Sequence, residues 1–129
     1  MKLNNVTIAA VAGTKAIETL KAIKYSMRDL EFDRAILITP EDIEDDQVEI
    51  IKCEPLNYQQ YNHFIVYRLH EYINTTHCLL VQNDGYVVNP DMWQDQWMQY
   101  DYIGALWPYP QDDFSFRDQD GNIQRMGNG

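Results

Sequence analysis

Short apolar runs alternate with amphipathic helical patterns along this chain, and that alternation limits the fold more than any other feature. The first run, Val6-Thr7-Ile8-Ala9-Ala10-Val11-Ala12, is nearly continuous, β-branched at several positions and closed by Gly13. It has the pattern of a strand buried on both faces, the signature of a central strand in a parallel sheet. A helical pattern follows, with Ala16, Ile17, Leu20, Ile23, Met27 and Leu30 on one face and Thr14 as the expected N-cap. Arg34–Thr39 forms a second strand, stopped by Pro40. Val48–Cys53 forms a third, ended by Glu54-Pro55. Tyr58–Tyr72 predicts a second helix with Asn57 as its cap, and Cys78–Val81 a fourth buried strand. Pro90–Tyr100 predicts a third helix with Trp93, Trp97 and Tyr100 on its apolar face, with Pro90 in the first turn, where proline is tolerated. Tyr102–Ala105 is a fifth strand, followed by two β-like pieces around an Asp120-Gly121 turn.

Strands alternating with helices, each strand apolar throughout, mean a mostly parallel sheet covered on both sides: an α/β three-layer sandwich. At 129 residues one domain spanning residues 1–129 is expected, large enough for a substantial core. In such sheets ligands bind beyond the carboxyl ends of the strands. Two loops then matter, Ala12-Gly13-Thr14-Lys15 and Gln82-Asn83-Asp84-Gly85.

Charge narrows the partners. Ten basic against twenty acidic residues give a net charge of −10. Nucleic acid and anionic membranes both need local positive charge, so neither is an expected partner. A phosphate ligand requires a cation or backbone N–H groups to offset the repulsion. No apolar run approaches the roughly 18 residues of a membrane span. The N-terminus, Met1-Lys2-Leu3-Asn4-Asn5, lacks a signal-peptide core. Cys53 and Cys78 lie in or beside apolar segments and are expected as buried reduced thiols, as in the cytoplasm. The glycosylation triplets at Asn5 and Asn74 are read as chance in that setting.

Asp84 follows an apolar strand and precedes Gly85, so its carboxylate stands at the sheet mouth on a turn. Mg²⁺ or Mn²⁺ is often held by one or two carboxylates plus substrate phosphates, so one Asp suffices. The competing reading is a turn-forming Asp-Gly pair without a ligand. Gly13 and Thr14 would bring backbone N–H groups and the positive end of a helix toward a phosphate or base, with Lys15 adding charge. The spacing matches neither a dinucleotide fingerprint nor a P-loop, and a plain strand-to-helix turn accounts for it equally. His63, His70 and His77 are seven apart, which separates helical rings by roughly 10 Å and keeps them from one metal. Ser26 and Ser115 have no accompanying His/Asp pattern for nucleophilic hydrolysis. Trp107-Pro108-Tyr109-Pro110 offers aromatic faces for stacking on a sugar or base, or for closing the core.

The string His77-Cys78-Leu79-Leu80-Val81-Gln82-Asn83-Asp84-Gly85-Tyr86-Val87-Val88-Asn89-Pro90 resembles the DUF5672 family, catalogued as a domain of unknown function and related to the GT-A nucleotide-sugar transferases. Val6–Thr14 looks like that family's first strand and turn. Tyr100–Ala105 with Trp107-Pro108 looks like its block after the third helix. Arg125–Gly129 looks like the start of its Val-Gly-Asn-Gly-Gly-Phe-Ser motif. The resemblance implies a GT-A-like fold and sugar transfer from a nucleotide-sugar donor to an unidentified glycan, protein or small-molecule acceptor. In GT-A enzymes an Asp-x-Asp motif holds the divalent metal together with the donor's ribose and diphosphate. The matching positions here are Gln82, Asn83 and Asp84, so Asp84 is the implied ligand for Mn²⁺ or Mg²⁺. Val11, Ala12, Gly13 and Thr14 are the implied lining of the nucleotide pocket. The chain stops inside the last motif, which implies the donor-binding half of such an enzyme. The alternative is a non-catalytic binder of nucleotide sugars or glycans, or an inactive truncated copy.

Overall fold

The computed structural model describes residues 1–106, 108–109, 111, 117–123 and 127–128. The chain divides into two compact units, Met1–Trp93 and Gln94–Gly129. The first unit carries a four-stranded, all-parallel sheet of β1 (Lys2–Val11), β2 (Glu31–Thr39), β3 (Glu49–Lys52) and β4 (His77–Leu80), in the order β3-β2-β1-β4. Helices α1 (Ala16–Ser26) and α2 (Tyr58–Tyr67) complete an α/β sandwich.

The two layers follow from the two-residue period of β1. Ile8, Ala10 and Ala12 point to one side and pack with Ala16, Leu20 and Ile23 of α1 and Leu37 of β2. Ala9 and Val11 point to the other and pack with Ile36, Ile38 and Phe64 of α2. Ile8, Ile36, Leu37 and Ile38 are completely buried. Each such side chain contributes about 1.5–3 kcal/mol of apolar transfer free energy. Parallel strands flanked by helices need apolar residues at both parities, which is why β1 and β2 read as unbroken apolar runs.

The regular strand pairing of β1 with β2 is interrupted between Leu3 and Thr7. Asn5 sits there at φ 62°, and its N–H donates to Asp33 Oδ2 at 2.6 Å. Asparagine tolerates that left-handed backbone better than most residues. β1 therefore starts earlier than its apolar run, as a bulged extension.

Several sequence expectations are corrected at element ends. Helix α1 stops at Ser26, short of Leu30: Ser26 Oγ donates to Ala22 O and accepts from the Val87 N–H. Thr14 is not its cap. Lys15 holds that position in left-handed backbone, φ 57° and ψ 40°, without a side-chain cap. Helix α2 is capped by Asn57, as its sequence predicts, in a full capping box with Gln60. It stops at Tyr67, and Leu69–Tyr72 continues as a 3₁₀ turn. The single helix expected over Pro90–Tyr100 is two 3₁₀ turns, Pro90–Met92 and Asp95–Gln99, separated where Trp93 and Gln94 turn extended.

Cys78 is exposed rather than buried, because β4 is an edge strand of the sheet, and Cys53 is half-buried; both thiols are free. In the second unit, β5 (Ala105–Leu106) pairs antiparallel with β6 (Gly127–Asn128). The Asp120-Gly121 turn joins a bridge between Arg117 and Ile123, with Gly121 at φ 83°. Trp107, Pro110, Ser115, Arg125, Met126 and Gly129 lie outside the described residues.

Candidate functional site

Strand order locates the site. From β1 the chain moves by way of α1 to β2 and on to β3, then returns through α2 to place β4 on the opposite side of β1. The direction of winding therefore reverses between β1 and β4, and the carboxyl ends of strands flanking such a reversal form the natural ligand crevice of an open α/β sheet. Because Ala9 pairs with Leu80, the turns leaving those two strands start side by side. They are the two loops singled out in the sequence, 12–15 and 82–85.

The loop after β4 is a tight turn. The Gln82 N–H donates to Gly85 O at 2.7 Å and the Gly85 N–H returns to Gln82 O at 3.2 Å. Asn83 and Asp84 occupy its tip, both exposed. Among the described residues the Asp84 carboxylate has no hydrogen-bond or ion-pair partner, so both oxygens are available to a ligand. Gly85 would meet nothing with an added Cβ, so its role is not steric.

The position matching the first motif carboxylate has a different task. Gln82 Nε2 donates to the Tyr61 hydroxyl at 2.8 Å, joining the turn to α2. Tyr61 is half-buried on the α2 side of the sheet, packed against the cluster that holds Ala9, Val11, Ile36, Ile38, Phe64 and Leu69. Burial raises its phenol above the usual value, the Gln82 hydrogen bond opposes that rise, and the nearby Asp84 charge adds to it. Tyr61 is therefore a neutral O–H at physiological pH, within electrostatic reach of Asp84.

The loop after β1 is held by the chain's own groups. Val11 and Ala12 are buried on opposite faces, and the Ala12 N–H donates to Ile38 O. What they present toward the crevice is backbone. Gly13 faces Leu56: an added Cβ would lie 3.0 Å from Leu56 O and 3.4 Å from Leu56 Cβ. The absence of a side chain there admits the β3–α2 loop, and the glycine has no positive φ. Thr14 and Lys15 are exposed. The amino end of α1 is already engaged, since the Ala16 N–H donates to Glu41 Oε2 at 2.6 Å. A carboxylate from the loop after β2 thus takes a position a phosphate would otherwise favour.

Sequence reasoning missed Tyr61, Leu56 and Glu41 as parts of this edge. Tyr61 is legible as a core-facing position of α2; the available signal was that a buried tyrosine needs a partner for its hydroxyl. His63 packs its ring against Tyr67 at 4.8 Å, and His77 Nδ1 lies 3.0 Å from Thr76 Oγ1. Among the described residues no three His, Cys, Asp or Glu side chains converge on a common point.

Two open clefts lie elsewhere in the first unit. One, of about 440 Å³, runs along Glu41–Lys52 and is edged by acidic side chains. The other, of about 500 Å³, lies between Met1, Arg28 and Pro90. The first would repel an anionic ligand, and Arg28 in the second is already spent on Val88 O, Asp29 and the Tyr25 ring. Strand topology and the unpaired Asp84 point instead to the β1–β4 crevice.

A family described as a protein of unknown function, DUF5672, matches this chain over residues 47–129. The match takes in the turn at Gln82–Gly85 and all of α2, and leaves Val6–Thr14 outside. No curated protein matches the chain. No solved structure does.

Proposed function

The chain belongs to the DUF5672 family, and from that premise we propose that it binds a nucleotide sugar at the β1–β4 crevice and serves sugar transfer of the GT-A kind to an acceptor. The observation that carries the reading is Asp84. It is an unpaired carboxylate on a tight turn, directly beyond the carboxyl end of a parallel strand at the topological switch point.

A divalent cation suits this position in one mode only. Asp84 would supply a single anionic oxygen ligand, and the remaining positions would be filled by diphosphate oxygens and water, as Mg²⁺ sites commonly are. When bound, Mn²⁺ or Mg²⁺ would neutralise charge on the departing diphosphate. The chain's own residues do the rest. Asp84 fixes where the charged end of the donor lies. Gln82 holds Tyr61 beside it. Thr14, exposed in the β1–α1 turn, would contribute its hydroxyl from the other side. A net charge of −10 favours a cation to offset the repulsion of an approaching diphosphate.

A second reading, a nucleotide-sugar or glycan binder without catalysis, is favoured by one observation: the first motif position is an amide committed to Tyr61, which leaves one carboxylate where two are usual.

Calorimetric titration of UDP and of GDP, each with and without Mn²⁺, tests the reading in the wild type and in Asp84→Asn. The wild type should bind one nucleotide in a Mn²⁺-dependent manner. Asp84→Asn should weaken that binding at least tenfold, about 1.4 kcal/mol. Because Asp84 is exposed and unpaired among the described residues, the variant should melt like the wild type. Equal affinity with and without metal, and in both proteins, would contradict the metal role.

A further inference from the structure

We propose that Tyr61 is a ligand-contacting residue of this crevice, donating its phenolic proton to a ribose hydroxyl of the bound nucleotide, with Gln82 as the residue that positions it. The inference rests on the nucleotide-sugar reading above and adds the part of the ligand that this side chain reads.

A phenol has one proton to give and lone pairs to receive with. The Tyr61 oxygen receives the Gln82 Nε2 proton at 2.8 Å, which fixes where the hydroxyl sits. Among the described residues no acceptor takes its own proton. A half-buried hydroxyl with an unspent proton, pinned by Gln82 beside the turn that carries Asp84, is a preorganised donor. Beside it Asp84 keeps one acceptor oxygen when its other oxygen holds a cation.

A donor next to acceptors matches a diol, whose hydroxyls both give and receive. A phosphate offers only acceptors and is met through the cation on one Asp84 oxygen; the Tyr61 donor beside the other Asp84 oxygen matches a ribose hydroxyl, which both gives and receives. The substitution at position 82 acquires a purpose as well. A carboxylate there could not donate to the phenol oxygen, whereas the glutamine amide does and leaves the phenolic proton for the ligand.

The test is a cycle between the ligand hydroxyl and the protein hydroxyl. In the presence of Mn²⁺, the affinities of UDP and GDP are measured against their 2′-deoxy and 3′-deoxy forms. The proteins are the wild type, Tyr61→Phe and Gln82→Ala. Tyr61→Phe keeps the ring among its α2-side neighbours and removes only the hydroxyl. The wild type should prefer the ribonucleotide over one deoxy form by about five- to tenfold, the usual worth of one such hydrogen bond. In Tyr61→Phe that ratio should fall to near one, while the affinity for the deoxy form barely changes. Gln82→Ala, which frees the phenol, should give an intermediate ratio. Binding that still depends on Asp84, but with an unchanged ratio in Tyr61→Phe, would overturn the role of Tyr61 and leave the nucleotide reading standing. The same holds for an unchanged ratio in Gln82→Ala should Tyr61→Phe fail to fold, and for a wild type indifferent to both deoxy forms. A wild type that binds neither nucleotide would overturn both.

Discussion

Gly13 is a residue whose size is set by a neighbour within the chain. Its lack of a side chain matters, but the group that exploits it is the Leu56 carbonyl of the β3–α2 loop, 3.0 Å from where a Cβ would stand. That contact is with backbone, which yields less readily than a flexible side chain. Gly13→Ala should be destabilising by up to about 1 kcal/mol, and Gly13→Val by about 1–3 kcal/mol, the usual range for overpacking. Thermal or urea unfolding checks this, and a Gly13→Val protein as stable as the wild type would show that Leu56 moves aside freely. Loss of nucleotide binding in such a variant would follow from displacing Leu56 as readily as from blocking a ligand. Asp84 is a more direct probe, because no hydrogen bond or ion pair among the described residues is lost with it.

At the scale of elements, the loop between β2 and β3 is tied to α1 by Asp45. Lys24 Nζ donates to Asp45 Oδ2 at 2.8 Å, and the Gln47 and Val48 N–H groups donate to Oδ1. The Lys24 hydrogen bond, seconded by those two N–H groups, holds the carboxyl below its ordinary value against the opposing effect of burial. A carboxyl lowered in the folded state contributes stability above its unfolded value, and that contribution is lost as pH falls through the lowered one. Asp45→Asn should therefore be less stable than the wild type at neutral pH, with the gap closing below about pH 4. A gap that stays constant from neutral pH to pH 3 in thermal melts would contradict the pairing. The elements also show what their sequences carry. The cores of β1 and β2 are legible because burial on both faces forces unbroken apolar runs, and α2 begins where Asn57 and Gln60 say it should. Helix ends are not legible where distant groups decide them: α1 ends where Ser26 receives the Val87 N–H, a partner 61 residues away. The Trp93–Trp97 spacing suggests a helix face, yet the segment carries Asp91, Trp93, Asp95 and Trp97, weaker helix formers, and its backbone extends at Trp93 and Gln94.

For the molecule as a whole, the account turns on sheet order and charge. Asp84 could be singled out from sequence because a strand and a turn precede and enclose it. Tyr61 and Glu41 could not, since their partners lie 21 and 25 residues away and meet them only once the strands are ordered β3-β2-β1-β4. That order puts the reversal of winding between β1 and β4, away from the acidic groove along Glu41–Lys52 and from the cleft by Arg28. The acidic balance calls for a cation or backbone N–H groups wherever a diphosphate binds. The most direct test is an amide chemical-shift titration of the ¹⁵N-labelled chain with UDP or GDP and Mg²⁺, which asks where the nucleotide goes. The account predicts that the largest shifts fall on Gly13, Thr14, Tyr61 and Gln82–Gly85. Shifts confined to Glu41–Lys52 or to the residues around Arg28, with the turn at Asp84 unmoved, would contradict it.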